Sequence, residues 1–260
     1  MARIDSIYRY PVKGLSPELL AAVMMTAGEG LPLDRRFALA RAGTAFDPVQ
    51  PAWLAKHHFL MLMRDERLAE LQVAYDEASG RLRIAHAGRE VVDAEVGSAD
   101  GRATIERFFE QFMGDRAGGG PRLVSAQGHM FTDNPTKYVS LINLASVQAI
   151  GEAIAEIIGE ALDRPPDPLR FRANLYVSGL EPWAEFDWVG RELAAGDVRL
   201  RCVERIDRCA ATNVNPATAR RDLNIPQTLR KVYGHIDCGV LLQVVRGGRL
   251  EAGQSIVPAI

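Results

Sequence analysis

Polar and apolar residues alternate through much of the first third of the chain, which is the pattern of half-buried β-strands. In the first such stretch the alternation ends at Pro11, because proline cannot continue a hydrogen-bonded strand. Two later stretches flank a turn that contains Gly80, and this spacing predicts a hairpin extended by a third strand. The strands predicted in this part of the chain are residues 3–10, 36–41, 59–63, 71–75, 81–86 and 88–94.

Two stretches have the periodicity of amphipathic helices. The first helix is predicted over residues 99–113, and the apolar side chains that share one of its faces are Ile105, Phe108, Phe109 and Phe112. The second helix is predicted to begin within residues 143–146, with Ser146 as its N-cap, and to run to about residue 161. The prolines of residues 165–168 end it.

The glycine-rich segment at residues 115–121 is the strongest interruption of the pattern and favours a boundary between two subdomains. Many short strands, few helices and no regular strand–helix alternation predict an α+β, mainly β fold, with a barrel-like β structure and appended helices. The strands predicted after the boundary are residues 122–125, 171–177, 197–203, 239–245 and 254–257.

The composition of the 260-residue chain is that of an ordinary globular protein, with 47% hydrophobic and 25% charged residues. A net charge of −2 argues against a nucleic-acid-binding protein. No apolar run approaches the roughly 18 residues of a membrane span, and no signal peptide is visible, so we expect a cytoplasmic protein without a membrane span.

The three cysteines are too few for a disulfide framework, and their odd number favours a reducing compartment. Cys202 lies inside a strand pattern and Cys238 precedes an apolar run, so both are predicted to lie in the core. No two cysteines have the spacing of a zinc or redox motif.

Cys209 lies in the least ordinary part of the sequence, a polar segment with a local excess of positive charge. Nearby cations stabilise a thiolate, which is the form that binds metals, and their N–H groups suit a phosphate. Two other interpretations stay open: Cys209 as a small buried side chain below solvated arginines, and a Cys–His hydrolase with His129 or His235. Between residues 201 and 231, three acids (Glu204, Asp207 and Asp222) accompany seven basic residues: Arg201, Arg205, Arg208, Arg220, Arg221, Arg230 and Lys231.

Residues 208–218, RCAATNVNPAT, resemble the signature of the MOSC family, which is named for the C-terminal domain of molybdenum cofactor sulfurase. Residues 171–179, FRANLYVSG, resemble a second block of that family. Residues 10–14, YPVKG, and residues 30–37, GLPLDRRF, resemble two blocks of the MOSC N-terminal β-barrel domain. The four blocks occur in the family's order and span most of the chain.

The resemblance implies a MOSC N-terminal β-barrel-like domain at residues 1–118 and a MOSC domain, a β-barrel with appended helices, at residues 119–260. In the branch that includes the mitochondrial amidoxime-reducing components, the signature cysteine ligates molybdenum held by a pterin dithiolene. By resemblance, Cys209 is then the metal ligand and the catalytic residue. The residues that the resemblance places around the pterin and its phosphate are Lys13, Arg35, Ser146, Arg172, Asn174, Arg208 and Thr212.

The sequence departs from the family pattern at three places. Ala219 stands where a glycine usually closes the signature, Ala173 replaces a frequent proline, and residues 46–54 lack the usual pattern of a further cofactor contact. No iron–sulfur cysteine run and no Schiff-base lysine is identifiable, so no iron–sulfur cluster and no pyridoxal phosphate is expected in this chain. The polar loop at residues 129–137 is a candidate border of a substrate opening.

Three functions follow as hypotheses. The first, implied by the resemblance, is a molybdenum-cofactor oxidoreductase that reduces N-hydroxylated small molecules with electrons from a separate protein. The second is a module that carries or binds the cofactor, or a sulfur species on Cys209, without turnover. The third is a structural or interaction domain without a ligand.

Overall fold

The computed structural model describes residues 1–259, and eight strands of this part of the chain form one large curled sheet. These strands are β1 (Arg3–Arg9), β2 (Glu18–Leu20), β9 (Val139–Asn143), β10 (Leu175–Ser178), β11 (Glu192–Ala195), β12 (Val198–Asp207), β13 (Asp237–Arg246) and β15 (Val257–Pro258). Their order in the sheet is β15-β11-β12-β13-β9-β10-β1-β2. The N-terminal strand β1 therefore pairs with β10, from the far half of the sequence.

Three smaller sheets complete the β structure. Strands β3 (Ala22–Met25) and β14 (Gly248–Glu251) form one pair, and β4 (Ala38–Ala40) and β8 (Arg122–Val124) form another. The third is an antiparallel meander of β5 (Leu71–Asp76), β6 (Arg81–His86) and β7 (Arg89–Glu95).

Residues 1–259 contain three α-helices, and side chains cap the N-termini of the first two. Helix α1 (Ala99–Met113) begins where the Ser98 side chain accepts a hydrogen bond from the Gly101 N–H at 3.0 Å. Helix α2 (Leu144–Ile158) begins at Asn143 and ends at Gly159, which has a left-handed backbone. Helix α3 (Ile225–Tyr233) follows the signature segment.

Apolar side chains form three main clusters. One fills the inside of the large sheet, and a second lies between the meander and α1. In the third cluster, α2 and α3 pack against the outer face of the large sheet. Val214, from the signature segment, is buried in the second cluster, so the C-terminal part of the chain also contacts the N-terminal core.

The structure confirms the α+β, mainly β fold, and it confirms the predicted hairpin, its third strand and helix α1. Residues 59–63 are not a strand; they form a buried loop with a single bridge from Phe59 to Ala40. The prediction of Ser146 as an N-cap was wrong, because Asn143 caps α2 and Ser146 lies inside the helix. Helix α2 also ends earlier than predicted, because Gly159 turns the chain away.

Candidate functional site

A cleft of about 440 Å³ lies where the large sheet meets the N-terminal core. Its volume is within the range of small-molecule sites. The segments that line it come from distant parts of the chain: parts of residues 13–14, 56–63, 132–140, 170–174 and 204–212, together with Arg35 and Leu241.

The lining of the cleft carries an excess of positive charge. Three acidic residues, Asp133, Glu204 and Asp207, contribute to it. The cationic residues of the lining are Lys13, Arg35, Lys56, Arg170, Arg172, Arg205 and Arg208. Such a lining favours an anionic ligand, because several N–H donors can share its charge.

Cys209 reaches this cleft from the end of the long strand β12. The Arg208 N–H still bonds the Ile236 carbonyl at 2.9 Å, so the chain is extended up to the cysteine, and a short 3-10 turn at Ala210–Asn213 follows. The Cys209 thiol is free and half-buried. Cys202 and Cys238 lie in the core as predicted, and burial raises the pKa of each to about 12, so both stay protonated at neutral pH.

Arg208 and Thr212 hold the backbone around Cys209. The Thr212 hydroxyl donates to the Cys209 carbonyl at 2.9 Å. The Arg208 side chain is buried; its Nε donates to the Cys238 carbonyl at 2.7 Å and its Nη1 to the Phe171 carbonyl at 3.1 Å. Burial lowers the pKa of Arg208, although its carbonyl partners keep the guanidinium hydrogen-bonded.

Lys13 lines the cleft and contacts the loop at residues 129–137. Its backbone N–H bonds the Phe37 carbonyl at 2.8 Å, and its Nζ donates to the Phe131 carbonyl at 2.9 Å and to the Asp133 carboxylate. Burial lowers the pKa of Lys13, and the Asp133 charge opposes this shift. Lys56 Nζ lies 3.8 Å from the same carboxylate.

Arg35 and Arg172 lie side by side at the cleft. Arg35 forms an ion pair with the buried Asp34 and donates through Nη2 to the Arg172 carbonyl at 2.9 Å. Arg172 donates to the Leu15 carbonyl at 2.8 Å, and in residues 1–259 no carboxylate pairs with it. Burial lowers the pKa of Arg172, and the charge of Arg35 lowers it further.

Asn174 and Ser146 use their polar atoms inside the protein. The Asn174 carbonyl oxygen accepts from the Ser140 N–H and hydroxyl at 3.1 and 2.9 Å, and its amide donates to the Tyr8 carbonyl at 3.1 Å. Asn174 nevertheless borders the cleft, whereas Ser146 does not. The Ser146 hydroxyl lies 2.9 Å from a carboxylate oxygen of the buried Glu185 and accepts from the Trp183 N–H.

The structure thus brings seven of the eight candidate residues to one cleft and places Ser146 outside it. It also places the polar 129–137 loop at the cleft, through Thr132, Asp133, Asn134 and Thr136. The sequence pattern predicts a strand at Met61–Met63 and does not indicate that these residues form an apolar wall of the cleft. It also does not indicate Lys56 and Arg170 as lining residues, because no local motif distinguishes them.

Residues 1–259 contain no group of three or more His, Cys, Asp or Glu side chains arranged to hold a metal ion. No helix in this part of the chain is long and apolar enough to cross a membrane.

Comparison with curated proteins finds relatives of two kinds. The human and mouse proteins named mitochondrial amidoxime-reducing component 1 are 27% identical over 119 residues and 34% identical over 84 residues. These matches cover 45% and 32% of this chain, and 35% and 24% of those proteins. The zebrafish molybdenum cofactor sulfurase is 34% identical over 131 residues, which are 46% of this chain and 16% of the sulfurase. The chain therefore matches about a third or less of each relative's length.

Among solved structures, the YUAD protein from Bacillus subtilis aligns with 98% of this chain and 93% of its own, at 13% identity and a TM-score of 0.40. YiiM from Geobacillus stearothermophilus aligns with 47% of this chain and 54% of its own, at 17% identity and a TM-score of 0.34.

Family sequence models match nearly the whole chain. The model of the MOSC N-terminal beta barrel domain matches residues 1–118, and the model of the MOSC domain matches residues 127–257. The second match includes the signature at residues 208–218, and the first includes both N-terminal blocks. The chain belongs to the MOSC family.

Proposed function

We propose that this chain binds the molybdenum cofactor and that Cys209 provides the protein ligand of the metal. The observation that carries the proposal is the position of one free, half-buried thiol in a cleft whose other charged groups are mostly cationic. A thiolate is a suitable soft ligand for such a metal. Relatives named for amidoxime reduction and for the molybdenum cofactor support the same assignment.

The residues present fit such a group. A pterin with a phosphate needs hydrogen-bond donors and positive charge, and Lys13, Arg35 and Arg172 supply both at one end of the cleft. We assign the phosphate to these three side chains. Arg208, Thr212 and Asn174 would act mainly by holding the backbone and the cleft wall, because every polar atom of their side chains already bonds the protein. The Arg172 side chain, in contrast, donates to the rest of residues 1–259 only through Nη2.

The reaction that we propose is the reduction of an N-hydroxylated small molecule. Cleavage of its N–O bond consumes two electrons and two protons and releases water, so a separate electron-donor protein is required. When bound, the cofactor would supply a redox-active metal that accepts these electrons and delivers them to the substrate. The protein would hold the metal through Cys209, while the Met61–Met63 wall shields one side of the cleft from water.

The test is to purify the protein from a host that makes the cofactor and to measure its molybdenum content. We expect about one molybdenum per wild-type chain and its loss in Cys209→Ser, since the thiolate is the protein ligand. Cys202→Ala, at a buried cysteine away from the cleft, is the matched control and should retain the metal. Absence of molybdenum from all variants would contradict the proposal.

A carrier or binding module remains the second candidate, because the cationic cleft alone requires only binding. Turnover of an amidoxime or a hydroxylamine with an artificial reductant separates the two functions. Activity that disappears in Cys209→Ser supports the reductase. Fully loaded wild-type protein that stays inactive with several such substrates supports the carrier.

A further inference from the structure

We propose that Tyr10 is a positioning residue of an oxyanion site in the cleft. Its ring holds the guanidinium groups of Arg35 and Arg172 so that both can donate to one multiply charged oxyanion, such as a phosphate group. The proposal deepens the proposed function, because it assigns the residue that orders two of the groups expected to hold the cofactor phosphate.

The two guanidinium groups share one aromatic ring. The guanidinium carbon of Arg35 lies 4.6 Å from the centroid of the Tyr10 ring, and that of Arg172 lies 4.4 Å from it. A cation this close to an aromatic face is attracted by the quadrupole of the ring. Tyr10 is fully buried, so the ring is a fixed platform rather than a mobile side chain.

The backbone reinforces this arrangement. The Arg35 N–H bonds the Tyr10 carbonyl at 2.6 Å, and the Tyr10 N–H bonds Asp34 Oδ1 at 2.8 Å. Arg35 and Arg172 both have left-handed backbones, with φ of 47° and 54°. Non-glycine residues adopt this conformation only where the surroundings impose it, and such positions concentrate at functional sites.

The two guanidinium groups are accompanied by one paired carboxylate, so an additional anion would balance their charge. Within the described chain, Arg35 has Asp34 as its ion-pair partner, whereas Arg172 has only the Leu15 carbonyl and the ring. Two half-buried guanidinium groups next to each other repel, and one oxyanion bound by both would relieve this repulsion. Guanidinium groups match the geometry of phosphate oxygens, which favours a phosphate over a simple halide.

The Tyr10 hydroxyl makes no hydrogen bond of normal geometry within residues 1–259, so its removal breaks no such bond of the protein. Tyr10→Phe keeps the ring and removes only this hydroxyl. Tyr10→Leu and Tyr10→Met keep an apolar side chain but remove the aromatic face. Comparison of these variants separates the effect of the aromatic face from the effect of filling the core with an apolar side chain.

The experiment measures binding of inorganic phosphate by isothermal titration calorimetry at constant ionic strength. It uses the full-length chain purified from a host that does not make the cofactor, because a bound cofactor phosphate would compete for the same site. Thermal denaturation of each variant is recorded alongside. Phe109→Leu, in the fully buried core of α1 and away from the cleft, is the control for a loss of core packing.

We expect Tyr10→Phe to bind phosphate within about threefold of wild type, and Tyr10→Leu and Tyr10→Met to bind at least about tenfold more weakly. Phe109→Leu should lower the melting temperature without changing the affinity. If Tyr10→Leu does not fold, Tyr10→Met, which fills more of the space, gives the same comparison.

Four results would overturn the proposal. The wild-type chain could fail to bind phosphate, or Tyr10→Leu and Tyr10→Met could bind it with unchanged affinity. Either Tyr10→Phe or Phe109→Leu could also lose as much phosphate affinity as Tyr10→Leu does. None of these results depends on molybdenum at Cys209. The proposed function can therefore fail while the phosphate result stands, and the reverse also holds.

Discussion

Six residues of the described chain have a Cβ and a left-handed backbone, and two of them, Arg35 and Arg172, line the cleft. A third, Ala219, directly follows the signature segment. A side chain with a Cβ destabilises this conformation by roughly 1–2 kcal/mol, so each position must be imposed by its surroundings. Ala219 is held by the bond from its N–H to the Asn215 carbonyl at 2.9 Å.

Ala219→Gly should stabilise the protein, because glycine adopts the φ of 54° without steric cost. We expect the free energy of unfolding to rise by about 0.5–1 kcal/mol in urea denaturation. Ala217→Gly, two residues earlier and without a positive φ, is the control and should be neutral or destabilising. If Ala219→Gly lowered the free energy of unfolding as much as Ala217→Gly does, the turn would impose no strain at residue 219.

Residue types alone could predict Cys209 and the arginines of its segment as a site, because a thiol among cations is chemically distinctive. The strand patterns also predicted Cys202 and Cys238 in the core, and the pairing of β12 with β13 buries both. They left open whether Cys209 is buried or lines a cleft, and the fold leaves it half-buried at the cleft. Ser146 was misassigned for a related reason: strand β9 continues to Asn143 and thereby fixes where α2 begins.

At the scale of elements, local patterns predicted α1 and the meander, whose contacts are close in sequence. They missed β9, which is apolar on both faces because it lies in the middle of the large sheet. They also missed α3, which has only nine residues and contains a proline. Buried, short or non-alternating elements depend on packing that a local pattern does not contain.

One buried carboxylate joins several of these elements. Glu185, in the 3-10 turn Ala184–Trp188, accepts hydrogen bonds from Asn143 Nδ2 at 2.9 Å and from the Ser146 hydroxyl, both at the start of α2. Burial raises the pKa of Glu185, and these hydrogen bonds only partly oppose the shift. The junction of α2 with the turn should therefore depend on pH.

Glu185→Gln tests this dependence, because glutamine cannot ionise. A carboxyl group with a raised pKa binds its proton more tightly in the folded state, so its stabilising contribution is complete below about pH 4.5. That contribution is lost as the pH rises through the folded-state pKa. The unfolding free energy of wild type minus that of Glu185→Gln, from urea denaturation, should fall with rising pH over this interval.

The control for Glu185 is Glu181→Gln, at an exposed carboxyl group in the same loop. Because Glu181 is exposed, Glu181→Gln shows the effect of removing a carboxyl group from this loop, and only the additional pH dependence of Glu185→Gln is assigned to Glu185. A difference for Glu185→Gln that is constant or that increases with pH would contradict a raised pKa at Glu185.

At the scale of the whole molecule, the cleft depends on pairings between distant parts of the chain. Strand β1 pairs with β10, and this brings the segment after β1, with Lys13, next to Arg172 and Asn174. The resemblance to family blocks implied that these residues gather around one group, but not the strand pairing that brings them together. It could not predict that Asp133 would pair with Lys13, because the 129–137 loop contains no block of the resemblance.

Arg221 connects the two sides of the cleft most directly. Its Nη1 donates to the Ala210 carbonyl at 2.9 Å, next to Cys209, and its Nη2 donates to the Met63 carbonyl at 2.8 Å on the apolar wall. Its Nη2 also lies 3.3 Å from a Glu66 carboxylate oxygen, so one side chain joins the signature segment to the N-terminal part.

Arg221→Gln should release the signature segment from the apolar wall, whereas the same change of charge at the exposed neighbour Arg220 should not. We expect Arg221→Gln to lower the free energy of unfolding by about 1–2 kcal/mol, because several hydrogen bonds to carbonyl groups are lost. Alkylation of Cys209 by iodoacetamide should become at least about threefold faster, since local opening exposes the thiol. Both effects should be absent in Arg220→Gln. Equal alkylation rates in the two variants would mean that the position of Cys209 does not depend on this connection, even if Arg221→Gln is the less stable protein.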